Sequence, residues 1–377
     1  MGLQSIFNRY LLPGFVFQGV VIGGGYATGR ELVEFFLPHG PIGGLLAMLV
    51  SAIVWSLVIA ISFELCRLTR SYDYKSFFTQ LLGPFWFLFE VLLVLLLLLV
   101  LSVVGAASGE LIHNLLNVPL IVGTAALLFT IGVLVFYGSK VVELFISSWS
   151  VLIYLCFISL VVFCFVYFSD EIKQTFLHEE NTQGPGWLLD GIRYASYNLA
   201  VVPMILFSLQ HIERRKEALT SGLLAGFIGM FPAVLLYVSM MSNYSGVSDA
   251  PIPSTLLLKS IDIAWFSVVF QVILLGALLQ TGVGLIHSVN ERVESSFAAE
   301  GKSMPKVFRS VNAILMLAVS LVLATQFGII ELIGKGYGLL AFGFLAVFVI
   351  PVLSVGVFKI WNPEKRQSIN GPSKADR

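Results

Sequence analysis

A few ionisable residues of this chain stand inside long apolar runs: Arg30, Glu31, Glu110, Glu331, Lys335 and His287. A charge at the centre of a bilayer costs about 2.5–3.5 kcal/mol on insertion scales, so each such residue needs a partner, a ligand or a proton to carry. Glu331 and Lys335 are spaced i, i+4 and can pair on one helix face. Arg30 has Glu31, Glu34 and Glu110 as candidate partners, while Glu110, Glu331 and His287 are candidate proton carriers. A second kind of chemistry is offered by backbone. The stretch VIGGGYATGREL carries Gly23, Gly24, Gly25, Tyr26, Ala27, Thr28 and Gly29 in the middle of the first apolar run. Glycines there weaken the helix and free N–H and C=O groups.

Other chemistries lack their residues. His39, His113, His178, His211 and His287 show no ligand spacing with Cys or Asp. No GxxxxGK[ST] phosphate loop occurs. The three cysteines are odd in number and lie in or at the end of apolar runs, which argues against a disulfide framework or metal site. Formal net charge is zero and no basic patch points to nucleic acid.

The elements that hold these residues are apolar helices. The 377-residue chain is 57% hydrophobic and 12% charged, with a mean hydropathy of +0.91. The fold class is therefore an all-α polytopic membrane protein. Ten transmembrane helices are expected, over 11–37, 42–66, 84–116, 119–138, 141–169, 187–211, 217–242, 263–296, 307–326 and 329–359. The stretch SYDYKSFFTQLLG is amphipathic and suits the membrane surface. Most Lys and Arg residues fall on one side of this arrangement, against only Lys173 and Lys259 in the opposite loops. Both termini are thus expected in the cytoplasm of a cell-membrane protein. The acidic segment 170–186 divides the chain into a first five-helix half, 1–169, and a second, 187–360, with a cytoplasmic tail at 361–377.

Two halves of five spans have opposite orientations, the topology of an inverted repeat. Both halves interrupt their first helix. In the second half the interruption is GIRYASYNLAVVPMILFSL, with Ser196, Tyr197 and Asn198 in its middle and Pro203 after them. Proline cannot donate to the carbonyl four residues before it and suits the first turn of a new helix. Paired interruptions point to a midplane site, where half-helix N-termini attract an anion and freed carbonyls a cation. The alternative for the glycines is close helix packing, since Gly19 and Gly23 have small-xxx-small spacing.

With GGGYATGREL in span one and YASYNLAVVP in span six, the sequence resembles the YkvI-type amino-acid permeases, and its ten spans resemble the LeuT-type fold of the amino acid–polyamine–organocation superfamily. The resemblance covers essentially the whole chain. It implies a 5+5 inverted repeat with helices one and six broken, and a substrate site formed by Gly23–Gly29, Ser196–Asn198 and the small-residue patch around Gly105. Close helix packing is the competing reading of that patch. It further implies a sodium site between span-one carbonyls and a span-eight hydroxyl, here Thr281, although Gly282 stands where many relatives carry a second hydroxyl. A lone Thr also commonly bonds its own i−4 carbonyl. Arg30 and Glu331 match the extracellular gate pair of that fold, in competition with a local Glu331–Lys335 pair.

The reading that follows is a secondary transporter of an amino acid or related amine or zwitterion, working by alternating access with Na+ or H+ as coupling ion and no other cofactor. The expected partners are a small-molecule substrate and membrane lipid. The competing reading is a ligand-sensing membrane subunit of a receptor complex, like the spore-germinant receptors of the same superfamily, which binds without transporting. A channel would need a pore motif that the sequence lacks.

Overall fold

The computed structural model describes residues 7–137, 139–178, 186–206, 209, 212–299 and 305–362. Every regular element among them is helical. The first apolar run is cut into α1 (Leu12–Val21), α2 (Gly24–Ala27) and α3 (Arg30–Phe35). After it come α4 (Gly40–Thr69), the short α5 (Tyr74–Leu82), α6 (Phe87–Leu116), α7 (Leu120–Tyr137), α8 (Ser139–Tyr167) and α9 (Ser169–His178). The second half holds α10 (Trp187–Asn198), α11 (Val202–Ile205), α12 (Arg215–Met240), α13 (Tyr244–Asp249), α14 (Pro253–Ile261), α15 (Ala264–Ala299) and α16 (Lys306–Glu331). The chain then continues through π-helical turns, α17 (Gly338–Phe344) and α18 (Val357–Trp361).

Five helical stretches among the described residues are long and apolar enough to cross a membrane. They number six if the pair Leu152–Tyr167 and Ser169–His178, bent by 75°, is taken as one. Leu120–Phe136 is a shorter apolar helix. The sequence-based ten counted broken segments as whole spans; the pieces of the first run, and α10 with α11, are each too short to count alone. The separation expected between 326 and 329 is a kink at Gly328, whose φ of +67° suits glycine. The segment 170–186 is not all loop, since α9 covers Ser169–His178. Residues 179–185 and the tail beyond 362 lie outside the described residues.

Two packed groups position the site. In the first, α12 lies along α4, with α1 and α10 completing the cluster. Small residues set the approach of α12 to α4. A Cβ on Gly222 would fall 2.3 Å from the Ala60 Cα, and one on Gly226 2.3 Å from the Ser56 Oγ. Lipid is as apolar as the helices, so close backbone contact and interhelical hydrogen bonds do the joining. Ser56 donates to the Leu223 carbonyl at 2.7 Å, Ser51 to Gly191 at 2.7 Å, and the Trp55 indole to Ala195 at 3.1 Å. The second group is α6, α7, α15 and α16, with α8 tied to α15 by the Trp149 indole on the Ile273 carbonyl. Large apolar side chains remain exposed on the outside, among them Phe129, Phe136, Phe231 and Leu339. Apolar exposure on this scale is what a bilayer, not water, solvates.

Candidate functional site

The first apolar segment is opened at two points. At the first, α1 ends at Val21, and Ile22 leaves the helical region with ψ of 76°. The N–H of Gly23 then turns back to the Val21 carbonyl at 2.9 Å. At the second, Gly29 takes φ of +81°, a left-handed conformation that side chains resist. A Cβ there would also lie 2.5 Å from the Met240 Cε. Glycine at 29 is thus required by conformation and by space together.

Each opening meets a different neighbour. A Cβ on Gly23 would lie 3.2 Å from the Thr281 Oγ1, so the α15 hydroxyl rests directly against the main chain of the break. Hydroxyl and freed backbone oxygens are suitable donors for Na+ at a broken helix. At the second opening, the Thr28 carbonyl accepts from the Ser254 N–H at 3.0 Å. Arg30 donates to the carbonyls of Ser248 at 2.7 Å and Ala250 at 3.1 Å, and to Glu34 at 3.0 Å. The break is thereby laced to the α13–α14 segment. That segment also walls a cavity of about 340 Å³ lined by Glu110, Asp249, Thr255 and Lys259. Beside Ala27, between Phe157, Phe270 and Leu274, lies only an apolar crevice too narrow to admit a water molecule.

The second interruption is milder. Helix α10 continues through the polar trio because its side chains satisfy its own turns. Ser196 donates to the Ile192 carbonyl at 2.7 Å, and Asn198 to Tyr194 at 3.0 Å. Leu199–Val201 then tightens into a 3-10 turn before Pro203 enters at the start of α11. The Val202 N–H bonds the Leu199 carbonyl, the group that Pro203 cannot serve. The segment is tightened rather than unwound, and it is tightened after Asn198. Tyr197 alone of the trio reaches across, donating to the Glu31 carboxylate at 2.5 Å.

Among the expected site residues, Gly23 and Thr281 are brought together and Tyr197 reaches Glu31 on the first segment, while the side chains of Ser196 and Asn198 turn back on their helix. A Cβ on Gly105 would face Leu128, Thr124 and Ala324, so that face serves the packing of α6 on α7 and α16. Arg30 and Glu331 are not paired. Arg30 is held by Glu34 and loop carbonyls, and Glu331 by Lys335 at 2.9 Å on an exposed face. The i, i+4 spacing wins because both partners share one helix face. Glu31, named in the sequence only as a candidate partner of Arg30, instead bonds Tyr197.

No family model matches the sequence. The chain is 25% identical over 308 residues to an uncharacterized membrane protein, YkvI, of Bacillus subtilis (strain 168), covering 76% of this chain and 82% of that protein. Its structure is similar to that of MhsT in complex with L-phenylalanine, at a TM-score of 0.57 and 13% identity over 94% of this chain and 97% of that one. It is also similar to the Eremococcus coleocola manganese transporter, at a TM-score of 0.54 and 13% identity over 94% of this chain and 80% of that one. The chain is therefore a helical membrane protein with the LeuT-type fold that these transporters share.

Proposed function

We propose that the protein is a secondary transporter of a small organic solute bearing an amine, most simply an amino acid, moved by alternating access. Substrate binds where the first apolar segment opens, between α2 and α10. The observation that carries this reading is the doubly opened Val21–Arg30 stretch, with Thr281 against one opening and the Arg30 lacing over the other. The rings of Tyr26 and Tyr197 suit an ammonium group. MhsT, of the same fold, is described in complex with L-phenylalanine; the manganese transporter of that fold carries a metal instead, so fold alone does not select the substrate.

In this reading the chain crosses the cell membrane ten times as a 5+5 inverted repeat, with both termini in the cytoplasm. The cluster of α1, α4, α10 and α12 moves against α6, α7, α15 and α16. Thr281 with the main chain at Gly23 would hold Na+. Arg30 acts as the closing residue through the α13–α14 carbonyls, and Glu331 joins it only in a conformation that releases Lys335. A thermal-stability screen of the detergent-purified chain against amino acids, amines and nucleobases, with and without sodium, tests the reading. A ligand raises the midpoint by mass action. Amino acids or amines should do so, more strongly with sodium. Stabilisation by nucleobases alone would overturn the substrate class, and indifference to sodium would remove Thr281 as ion ligand.

A further inference from the structure

Three carboxylates are buried among the described residues: Glu31, Glu64 and Glu217. Two of them have a cation. Arg67 donates twice to Glu64, each bond at 2.8 Å, and Arg9 bonds Glu217 at 2.7 Å. Among the described residues Glu31 has none. Its one side-chain partner there is the phenol of Tyr197, across the interface between the opened first segment and α10.

The charged groups on every element packed against Glu31 are engaged elsewhere. On its own helix Arg30 turns to Glu34 and the α13–α14 carbonyls. On α10, Arg193 bonds Asp190 at 2.5 Å and lies over the rings of Phe35 and Phe342. His39, just beyond α3, is 3.0 Å from the same Asp190. In the π-helical turn Leu332–Tyr337, Lys335 bonds Glu331. What faces Glu31 instead is phenol. Tyr26, Tyr194 and Tyr337 are all buried and within Coulombic reach of its carboxylate. Tyr197 packs on Tyr337 with ring centroids 4.9 Å apart. The hydroxyls of Tyr26 and Tyr194 are buried and lack a hydrogen-bond partner.

We propose that Glu31 is the proton-binding group through which a proton gradient, alongside the sodium held at Thr281, drives this transporter. The proposal rests on the transporter reading above. An ionised carboxylate sealed among aromatic rings without a cation is a state the fold must avoid. The described residues offer no built-in cation, so the charge is removed by a proton taken from water. One Glu31 oxygen gains H+ and becomes neutral within the buried cluster of Tyr26, Tyr194, Tyr197 and Tyr337. Closing the α3–α10 interface then requires the proton, and reopening it to water on the other side releases the proton. The residues that the sequence offered for this role face outward: Glu331 pairs with Lys335, His287 is about half exposed beside Glu291, and Glu110 lines the 340 Å³ cavity.

The test uses the full chain with Glu31→Gln and Tyr197→Phe. In infrared spectra of the purified protein, a protonated-carboxyl band should titrate in the wild type and disappear in Glu31→Gln. Its midpoint should move in Tyr197→Phe. A band that survives Glu31→Gln unchanged overturns the proposal. In proteoliposomes given a mixture of labelled L-amino acids, the wild type should accumulate label under a pH gradient. Glu31→Gln should exchange label across the membrane without accumulating it. Accumulation by Glu31→Gln equal to wild type overturns the coupling role and leaves the transporter standing. Absence of wild-type uptake under every gradient overturns the transporter and the coupling role together; the infrared titration then decides whether Glu31 binds a proton at all. If Glu31→Gln is unfolded by its melting curve, Tyr197→Phe carries the test: pH dependence of uptake identical to wild type contradicts the proposal.

Discussion

The first apolar segment and the α10–α11 segment answer the same problem in opposite ways. The first opens its backbone: Ile22 leaves the helix, Gly29 goes left-handed, the main chain so released meets Thr281 and Ser254, and the Arg30 side chain bonds the α13–α14 carbonyls. The second keeps its helix. Ser196 and Asn198 bond back to carbonyls four residues earlier, and a single 3-10 turn absorbs Pro203. Inside a membrane every backbone group must be satisfied by protein, ligand or enclosed water. The first segment therefore exposes main chain to whatever occupies the site, whereas the second contributes only a side chain, Tyr197. One side of the site is backbone and the other is aromatic.

Substitutions should separate the two halves. The largest effect is expected at Gly29→Val. The left-handed φ alone costs about 1–2 kcal/mol, and crowding against Met240 adds to it, so the melting temperature of the detergent-purified protein falls sharply. Ser196→Ala, its counterpart in the second segment, should change stability by less than about 1 kcal/mol. Equal losses at both positions would erase the distinction.

Next comes the closing contact. Arg30→Gln removes charged hydrogen bonds to loop carbonyls, worth about 1.5–3 kcal/mol. Hydrogen exchange in 248–254 should accelerate. Glu331→Gln, which breaks only an exposed pair worth about 0–1 kcal/mol, should leave that exchange unchanged. Matching acceleration in both variants would restore a direct Arg30–Glu331 gate. The smallest effect is expected at Pro203→Ala. The restored N–H can serve the Leu199 carbonyl, so stability should move by under about 1 kcal/mol. Any loss of uptake in this variant would mean that the 3-10 turn itself is part of the site.

The opened first segment was legible because three glycines in an apolar run leave few alternatives. Thr281 was placed by resemblance alone, and geometry brings it to Gly23. The second segment was read as more broken than it is, since a polar trio followed by proline looks like an unwinding signal. Sequence does not reveal that Ser196 and Asn198 will satisfy their own helix. Gly105 was ambiguous for a related reason: a small residue marks close approach without saying to what. The partners of Arg30 and Glu331 were both named as options, and only the fold could choose between them. Glu31 was read only as a possible partner of Arg30, because a carboxylate next to an arginine invites pairing. The structure sends the two side chains in different directions, Arg30 to the loop and Glu31 to Tyr197.

The central claim is that the opening at Gly23 is where a solute binds and crosses. Exchange of a labelled amino-acid mixture across proteoliposomes tests it most directly, comparing wild type with Gly23→Leu, whose Cβ alone would press to 3.2 Å from the Thr281 Oγ1. The account predicts exchange by the wild type and none by Gly23→Leu while the variant still melts cooperatively. A wild-type chain that is stabilised by amino acids yet exchanges none would be a sensor, and undiminished exchange by Gly23→Leu would place the route elsewhere; either result contradicts the account.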